Sequence, residues 1–176
     1  MKRLIWIIMV CLIAPMAALA QDSAANPLTE TLRRTLDRYS NNLVAAAEEM
    51  PADKYGYHPT PAQMTVGQTL AHVADVNNVA CSQVAGVPAP EHPKVSETDK
   101  NKLIDQLKAS MEFCKQVFAN LTDAKMGDPA KLWRGRLTTR FAAASEVTDD
   151  LIDHYAALAV YLRLNGLLPP TAQPKK

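Results

Sequence analysis

Four stretches of the sequence place apolar residues every three or four positions, and prolines or glycines separate these stretches. Such spacing puts the apolar side chains on one face of an α-helix. The stretches span residues 27 to about 50, 65 to 86, about 98 to 121 and about 140 to 165. Runs of β-branched residues are scarce between them. The pattern therefore predicts an all-α fold, a four-helix bundle.

Residues at the ends of the stretches indicate where the helices begin and end. Asn26 is expected to cap the first helix, because asparagine readily accepts hydrogen bonds from the free N–H groups of a first turn. Thr65 and Gln68 form a capping-box pattern at the start of the second helix. Gly86 and Gly166 are expected to close the second and fourth helices in the left-handed conformation.

The connections between the helices carry fewer signals. Residues 122–139 lack periodicity and are predicted to be irregular, with Trp133 holding the segment against the bundle. Residues 87–97 contain three prolines, which favours an extended crossover. His58 and His92 lie on connections and are expected to be solvated.

The N-terminal residues have the features of a secretory signal peptide. A basic pair precedes an apolar run over residues 4–13, and a small-residue cleavage site follows at residues 18–20. The run is too short to span a membrane. We therefore expect a signal peptide at residues 1–20, a mature domain at residues 21–176, and export across the inner membrane to a bacterial periplasm. No membrane association is expected after cleavage.

The charge of the chain argues against nucleic acid as a partner. The formal net charge is +1, and it falls to −1 once the two basic residues of the signal segment are removed. No basic patch remains of the kind that contacts phosphates.

Cys81 and Cys114 are the two cysteines of the mature chain. Export and an even number favour a disulfide, and the alternative is two ordinary buried thiols. Each cysteine lies about fifteen residues into its predicted helix, so an antiparallel pair of helices would offset them by about 14 Å. A parallel pair would place them level, and residues 87–97 reach about 36–40 Å when extended, enough to return along the bundle. Both facts favour an up-down-down-up topology with a long crossover between the second and third helices.

Three side chains on two helices form a candidate metal site. Asp150 and His154 are four residues apart and share one helix face, and His72 lies at the edge of the second helix's apolar stripe. If these helices are antiparallel, the three converge at similar depth. Two imidazoles and a carboxylate suit Zn²⁺, Ni²⁺ or Fe²⁺, and leave positions open for water. Asp75 and Asp153 are candidates for carboxylates that orient the ligand histidines. On spacing alone, a histidine at a helix edge is more often a hydrogen-bonded residue at the rim of a core than a metal ligand.

Three segments carry a resemblance to a known family. They are residues 50–61, which end in Pro59-Thr60-Pro61, the segment Leu70-Ala71-His72-Val73-Ala74-Asp75, and residues 154–166. Their order and spacing resemble the DinB-like family of small four-helix-bundle proteins, over most of the mature chain. The resemblance implies an up-down-down-up bundle and a metal held by three histidines.

Carried onto this sequence, the resemblance implies metal ligands at His72 and His154. The third family histidine corresponds to Asp150, which is a departure from the family pattern. Aspartate binds the same metals, so the site can persist with a carboxylate. Alternatively the site has been lost, and the two histidines are structural.

The resemblance implies metal-assisted chemistry on a small-molecule substrate, including thiol transfer to small electrophiles in some members of the family. The sequence specifies neither the reaction nor the substrate, and it contains no H-E-x-x-H or C-x-x-C motif. The alternative is a non-catalytic periplasmic bundle that binds an apolar ligand or a partner protein. A third alternative is a module that forms a homodimer through exposed helix faces.

Overall fold

The computed structural model describes residues 25–132 and 135–174. This part of the chain forms a bundle of long helices, as predicted, with one short hairpin. Its helices are α1 (Pro27–Glu49), α2 (Val66–Ala85), α3 (Lys100–Ala119) and α4 (Arg140–Leu164), and its strands are β1 (Pro129–Lys131) and β2 (Leu137–Thr139). The predicted signal peptide lies outside the described residues. No helix within residues 25–132 and 135–174 is long and apolar enough to cross a membrane.

The predicted signals at the ends of α2 and α4 are confirmed. Thr65 and Gln68 form both hydrogen bonds of the capping box at the start of α2. Gly86 follows α2 with φ 72°, and Gly166 follows α4 with φ 76°. Both values lie in the left-handed region that glycine adopts without steric cost.

The predicted cap of α1 is wrong, because the cap comes from a distant residue. The Asn26 side chain makes no capping hydrogen bond to α1; its Oδ1 instead accepts from the backbone N–H of Asp123, at 2.9 Å. The Asp123 carboxylate accepts from the backbone N–H groups of Leu28 and Thr29, at 3.0 and 2.9 Å. Partial desolvation raises the pKa of Asp123, but these hydrogen bonds outweigh it and hold that pKa below its usual range. The segment after α3 therefore fixes the start of α1.

The prediction that residues 122–139 are irregular is also wrong. Strands β1 and β2 form an antiparallel pair in which Ala130 lies opposite Thr138. Backbone hydrogen bonds join the hairpin to the start of α4, since Arg140 donates to Asp128 and Phe141 to Met126. The expected role of Trp133 lies outside the described residues.

Contacts at the helix ends give the directions of the helices. The Tyr161 hydroxyl, near the end of α4, donates to the Met64 carbonyl just before α2. At the opposite end, Arg140 at the start of α4 donates to the Val84 carbonyl near the end of α2. Helices α2 and α4 are therefore antiparallel.

The third helix is antiparallel to the first and parallel to the second. Lys100 at the start of α3 donates to the Met50 carbonyl at the end of α1. Cys81 and Cys114 form a disulfide between α2 and α3, with 5.4 Å between their Cα atoms. Each cysteine lies in the C-terminal half of its helix, so the disulfide holds the two helices at the same height along the bundle axis. A disulfide with this sequence separation of 33 contributes about 3–4 kcal/mol in the chain-entropy model.

The core lies between the four helices and extends beneath the loop after α1. Tyr55 on that loop is fully buried, and its hydroxyl donates to the Ala47 carbonyl. Burial, and then the nearby charge of Glu48, raises the pKa of Tyr55. Other fully buried side chains come from every helix: Leu36, Leu43, Leu70, Leu107, Phe118, Leu151, Leu158 and Leu162. This core makes α2 and α4 rigid supports for the side chains that they carry.

Candidate metal centre

The structure brings His72, Asp150 and His154 together. One ligand atom from each residue can be chosen so that all three atoms lie within 4.8 Å of one another. The two imidazole rings are 4.9 Å apart between centroids and meet edge to face, at an interplanar angle of 68°. With ligand bonds of about 2.0–2.2 Å, two ligands of one cation lie at most about 4.4 Å apart, so small side-chain rotations would bring these three donors onto one cation.

The local sequence explains why these side chains converge. Asp150 and His154 are one turn apart on α4, so their side chains lie on the same face. His72 lies two turns into α2, which runs antiparallel to α4 and packs against it. The face of α4 that carries the pair therefore meets the face of α2 that carries His72.

The three donors differ in how far solvent reaches them. His154 is 8% exposed, whereas His72 is exposed to solvent. The Asp150 side chain lies between these extremes, at 25% exposure. A cation held here would contact the core-facing imidazole on one side and be reached by solvent on the side of His72.

Asp150 carries a polar atom that the described residues leave unsatisfied. Its Oδ1 lies 3.5 Å from Nε2 of His154, which is long for a hydrogen bond. Its Oδ2 is buried and has no hydrogen-bond partner within the described chain. A buried carboxylate oxygen without a partner costs free energy, and a cation ligand removes that cost. The donor set and the unsatisfied oxygen therefore fit a divalent metal.

The two carboxylates predicted to orient the histidines do not contact them. Asp75 instead pairs with His92, with 2.8 Å between Oδ1 and Nε2. Asp153 is exposed and forms no hydrogen bond or ion pair with either histidine in the described chain. His92 is exposed, as expected, but its side chain is also held by this pairing and is 29% exposed.

The His92 contact ties the proline-rich crossover to two helices. Beyond its pairing with Asp75 on α2, the crossover accepts a hydrogen bond from Gln106 of α3 at the Pro93 carbonyl. No sequence signal pointed to this arrangement, because the partners lie on segments whose relative placement depends on the tertiary fold. His58, by contrast, lies on the loop after α1, where its Nδ1 is 2.6 Å from the Thr60 carbonyl oxygen.

The fold and the clustered donors together define a small helical bundle with a candidate metal centre between two of its helices. A profile of the DinB superfamily matches residues 35–158, a range that includes all three donors. The chain belongs to the DinB superfamily.

Solved structures show the same fold. A DinB-like protein of Bacillus subtilis superposes with a TM-score of 0.65 at 20% identity, over 82% of this chain and 99% of that one. A conserved protein of Enterococcus faecalis superposes with a TM-score of 0.60 at 19% identity, over 76% of this chain and 93% of that one. A search of curated proteins finds no match.

Proposed function

We propose that this chain is an exported DinB-like protein in which His72, Asp150 and His154 hold one divalent cation that assists a reaction on a small molecule. The observation that carries the proposal is the cluster itself: three ligand atoms within 4.8 Å, one of them supplied by a carboxylate with an unsatisfied buried oxygen. The family resemblance points to the same place.

The three residues of the cluster would have different roles in binding the cation and the substrate. His154 is packed in the bundle, so its imidazole is held in place before any ligand arrives. Asp150 brings a negative charge that offsets part of a cation's charge in a partly buried position. When bound, Zn²⁺, Ni²⁺ or Fe²⁺ would supply Lewis-acid activation of a water or thiol. The exposed side, near His72, is where a substrate would approach.

Export is supported by two independent features. The sequence has the basic start, apolar run and small-residue cleavage site of a signal peptide. The disulfide between Cys81 and Cys114 is of a kind that persists in oxidising compartments. A periplasmic location would also separate this protein from thiols that are concentrated in the cytoplasm, which favours activated water over a thiol.

The test is metal analysis by mass spectrometry on untagged protein of residues 21–176. We expect near-stoichiometric metal, either as purified or after incubation with Zn²⁺, Ni²⁺ or Fe²⁺. His72→Ala and Asp150→Ala should each weaken binding about a hundredfold or more, since changes to the residues around metal ligands already cost about 10–100-fold. His58→Ala is the matched control, because it removes a histidine outside the cluster, and it should leave the metal content unchanged.

The opposite result has a definite meaning. If the wild-type protein binds none of these cations, or if His58→Ala lowers metal content as much as His72→Ala, the metal centre is refuted. The substitution of Asp150 for a family histidine would then mark a lost site, and the protein would be a non-catalytic bundle that binds an apolar ligand or a partner.

A further inference from the structure

The outward face of α4 carries a row of apolar side chains in its C-terminal half. Its members recur every four positions, so they lie along one side of the helix. The row consists of Ile152, Ala156, Val160 and Leu164. Val160 is 49% exposed and Leu164 is 58% exposed. Because the opposite face of α4 is packed in the core, this helix is apolar on both sides, a pattern that is normal for a helix buried on both.

Three exposed charged residues lie beside this row. Asp149 and Asp153 are one turn apart, and neither forms a hydrogen bond or an ion pair within the described residues. Arg163 lies near the end of the helix, and its guanidinium makes only a 3.2 Å hydrogen bond to the Ala159 carbonyl of its own helix. At 3.6 residues per turn, all three charges fall within about 60° of Ala156 around the helix. They therefore share the face of the apolar row.

The order of these charges along α4 suits a second copy of the same helix. Asp153 and Arg163 each lie five residues from Leu158, on opposite sides of it. A two-fold axis that crosses α4 at the level of Leu158 places Asp153 of one copy beside Arg163 of the other, and the reverse pair follows by symmetry. The two contacts would lie about 7.5 Å either side of the axis, at 1.5 Å per residue.

The same axis also matches the apolar row with itself. It brings Ala156 to the level of Val160 in the second copy, and Ile152 to the level of Leu164. Small and larger side chains then alternate across the contact, as close packing between helices requires. One register thus satisfies both the apolar row and the flanking charges.

Two other surroundings of this face are less suitable. An anionic membrane surface attracts basic residues, whereas this row is flanked by Asp149 and Asp153. The metal-binding face is also distinct, because His154 points about 160° away from Ala156 around the helix. The contact therefore leaves the candidate metal centre free, and the inference does not depend on a bound metal.

We propose that this chain forms a two-fold symmetric homodimer through the outward face of α4. The helices pack antiparallel about Leu158, with the apolar row at the centre. Asp153 of each copy forms an ion pair with Arg163 of the other, and Asp149 contributes to the negative charge that this arginine meets.

The oligomeric state of the mature protein, residues 21–176, tests the proposal. Sedimentation velocity, with a chelator present, should show a reversible monomer–dimer equilibrium over about 1–200 μM, a range that covers micromolar affinity. Val160→Glu places a charge at the centre of the contact and should weaken association about tenfold or more. Because Val160 is half exposed, the variant should keep its fold, which circular dichroism checks.

Charge reversal tests the register itself. Asp153→Arg and Arg163→Asp each put like charges at both contacts, so each variant alone should associate about tenfold or more weakly than the wild type. An equimolar mixture of the two variants restores opposite charges at both contacts and should form a mixed dimer. Asp105→Arg is the matched control, since Asp105 is an exposed aspartate without a partner in the described chain and lies on α3; its dimer should match that of the wild type.

Three outcomes would overturn the proposal. The first is a wild-type protein that stays monomeric throughout the concentration range, which would leave the face to a different partner. The second is a dimer that Val160→Glu does not weaken, which would place the interface elsewhere. The third is a mixture of the two charge-reversed variants that associates no better than either alone, which would exclude this register.

Discussion

Asp150 determines the character of the candidate metal centre. A carboxylate in this position makes the donor set harder than three imidazoles would be, and it adds a negative charge. Carboxylates suit Mn²⁺ as well as the borderline metals, whereas imidazoles favour Zn²⁺, Ni²⁺ and Cu²⁺. One residue would therefore change which cation a site of this kind selects without changing the fold.

Asp150→His should raise the preference for Zn²⁺ over Mn²⁺ by about tenfold or more, the scale at which changes around metal ligands alter affinity. The measurement is competition between the two cations, read by native mass spectrometry. Asp149→His is the control, because Asp149 is an exposed neighbour outside the cluster. An unchanged Zn²⁺ to Mn²⁺ ratio in Asp150→His would show that residue 150 is not a ligand.

The sequence was sufficient to predict this cluster, but not its surroundings. The four-residue spacing of Asp150 and His154 places both on one face of any helix, and one assumption about helix direction brings them to His72. The pairing of Asp75 with His92 follows no local rule. It depends on how the crossover packs against α2, which tertiary contacts decide.

Among the elements, α3 ends against a side chain of α1, which hydrogen-bonds to carbonyl groups of its last turn and of Leu121 just beyond it. Nε of Arg33 donates to the Phe118 carbonyl at 2.9 Å, and a terminal nitrogen donates to those of Ala119 and Leu121 at 3.2 and 2.6 Å. The last carbonyls of a helix lack intrahelical partners. Here the Phe118 carbonyl also accepts from the backbone N–H of Leu121, at 3.2 Å, and Arg33 adds to that bond. The positive charge of the guanidinium also complements the negative end of the helix dipole.

Arg33→Met should lower the free energy of unfolding by about 1.5–3 kcal/mol, the range for hydrogen bonds to charged groups. Urea denaturation measures the change. Arg34→Met is the matched control: the Arg34 side chain is 70% exposed and its Glu30 contact is 4.0 Å long, against 30% exposure for Arg33. That substitution should shift stability by less than about 0.5 kcal/mol. Equal effects of the two variants would contradict the capping role.

Long elements were predictable and short ones were not. Helices of 20 to 25 residues repeat their apolar period several times, so the period alone predicts that they exist. Thr65 and Gly86 then indicate the two ends of α2, and Gly166 indicates the end of α4. Strands β1 and β2 have three residues each, too few for an alternating pattern to stand out. The cap of α1 by Asp123 could not be predicted for another reason: Thr29, whose N–H it accepts from, is more than ninety positions away in the chain.

At the scale of the whole molecule, the parallel pair of α2 and α3 is fastened at both ends. The disulfide between Cys81 and Cys114 lies in the C-terminal half of the pair. At the other end Gly67, in the first turn of α2, lies against the backbone of Glu97, just before α3. A β-carbon added to Gly67 would lie only 1.7 Å from the Glu97 carbonyl oxygen. Only glycine allows the end of the crossover to come this close.

Gly67→Ala should therefore destabilise the protein by about 1–3 kcal/mol, the usual cost of forcing extra volume into a packed position. The direction of this change in the free energy of unfolding is informative, because alanine in a helix normally stabilises by about 0.5–1 kcal/mol relative to glycine. Gly56→Ala is the matched control, since nothing lies within 4 Å of its added β-carbon. Urea denaturation should show a loss for Gly67→Ala alone, with faster proteolysis within residues 87–97. A stabilised Gly67→Ala variant would mean that the crossover does not lie against α2.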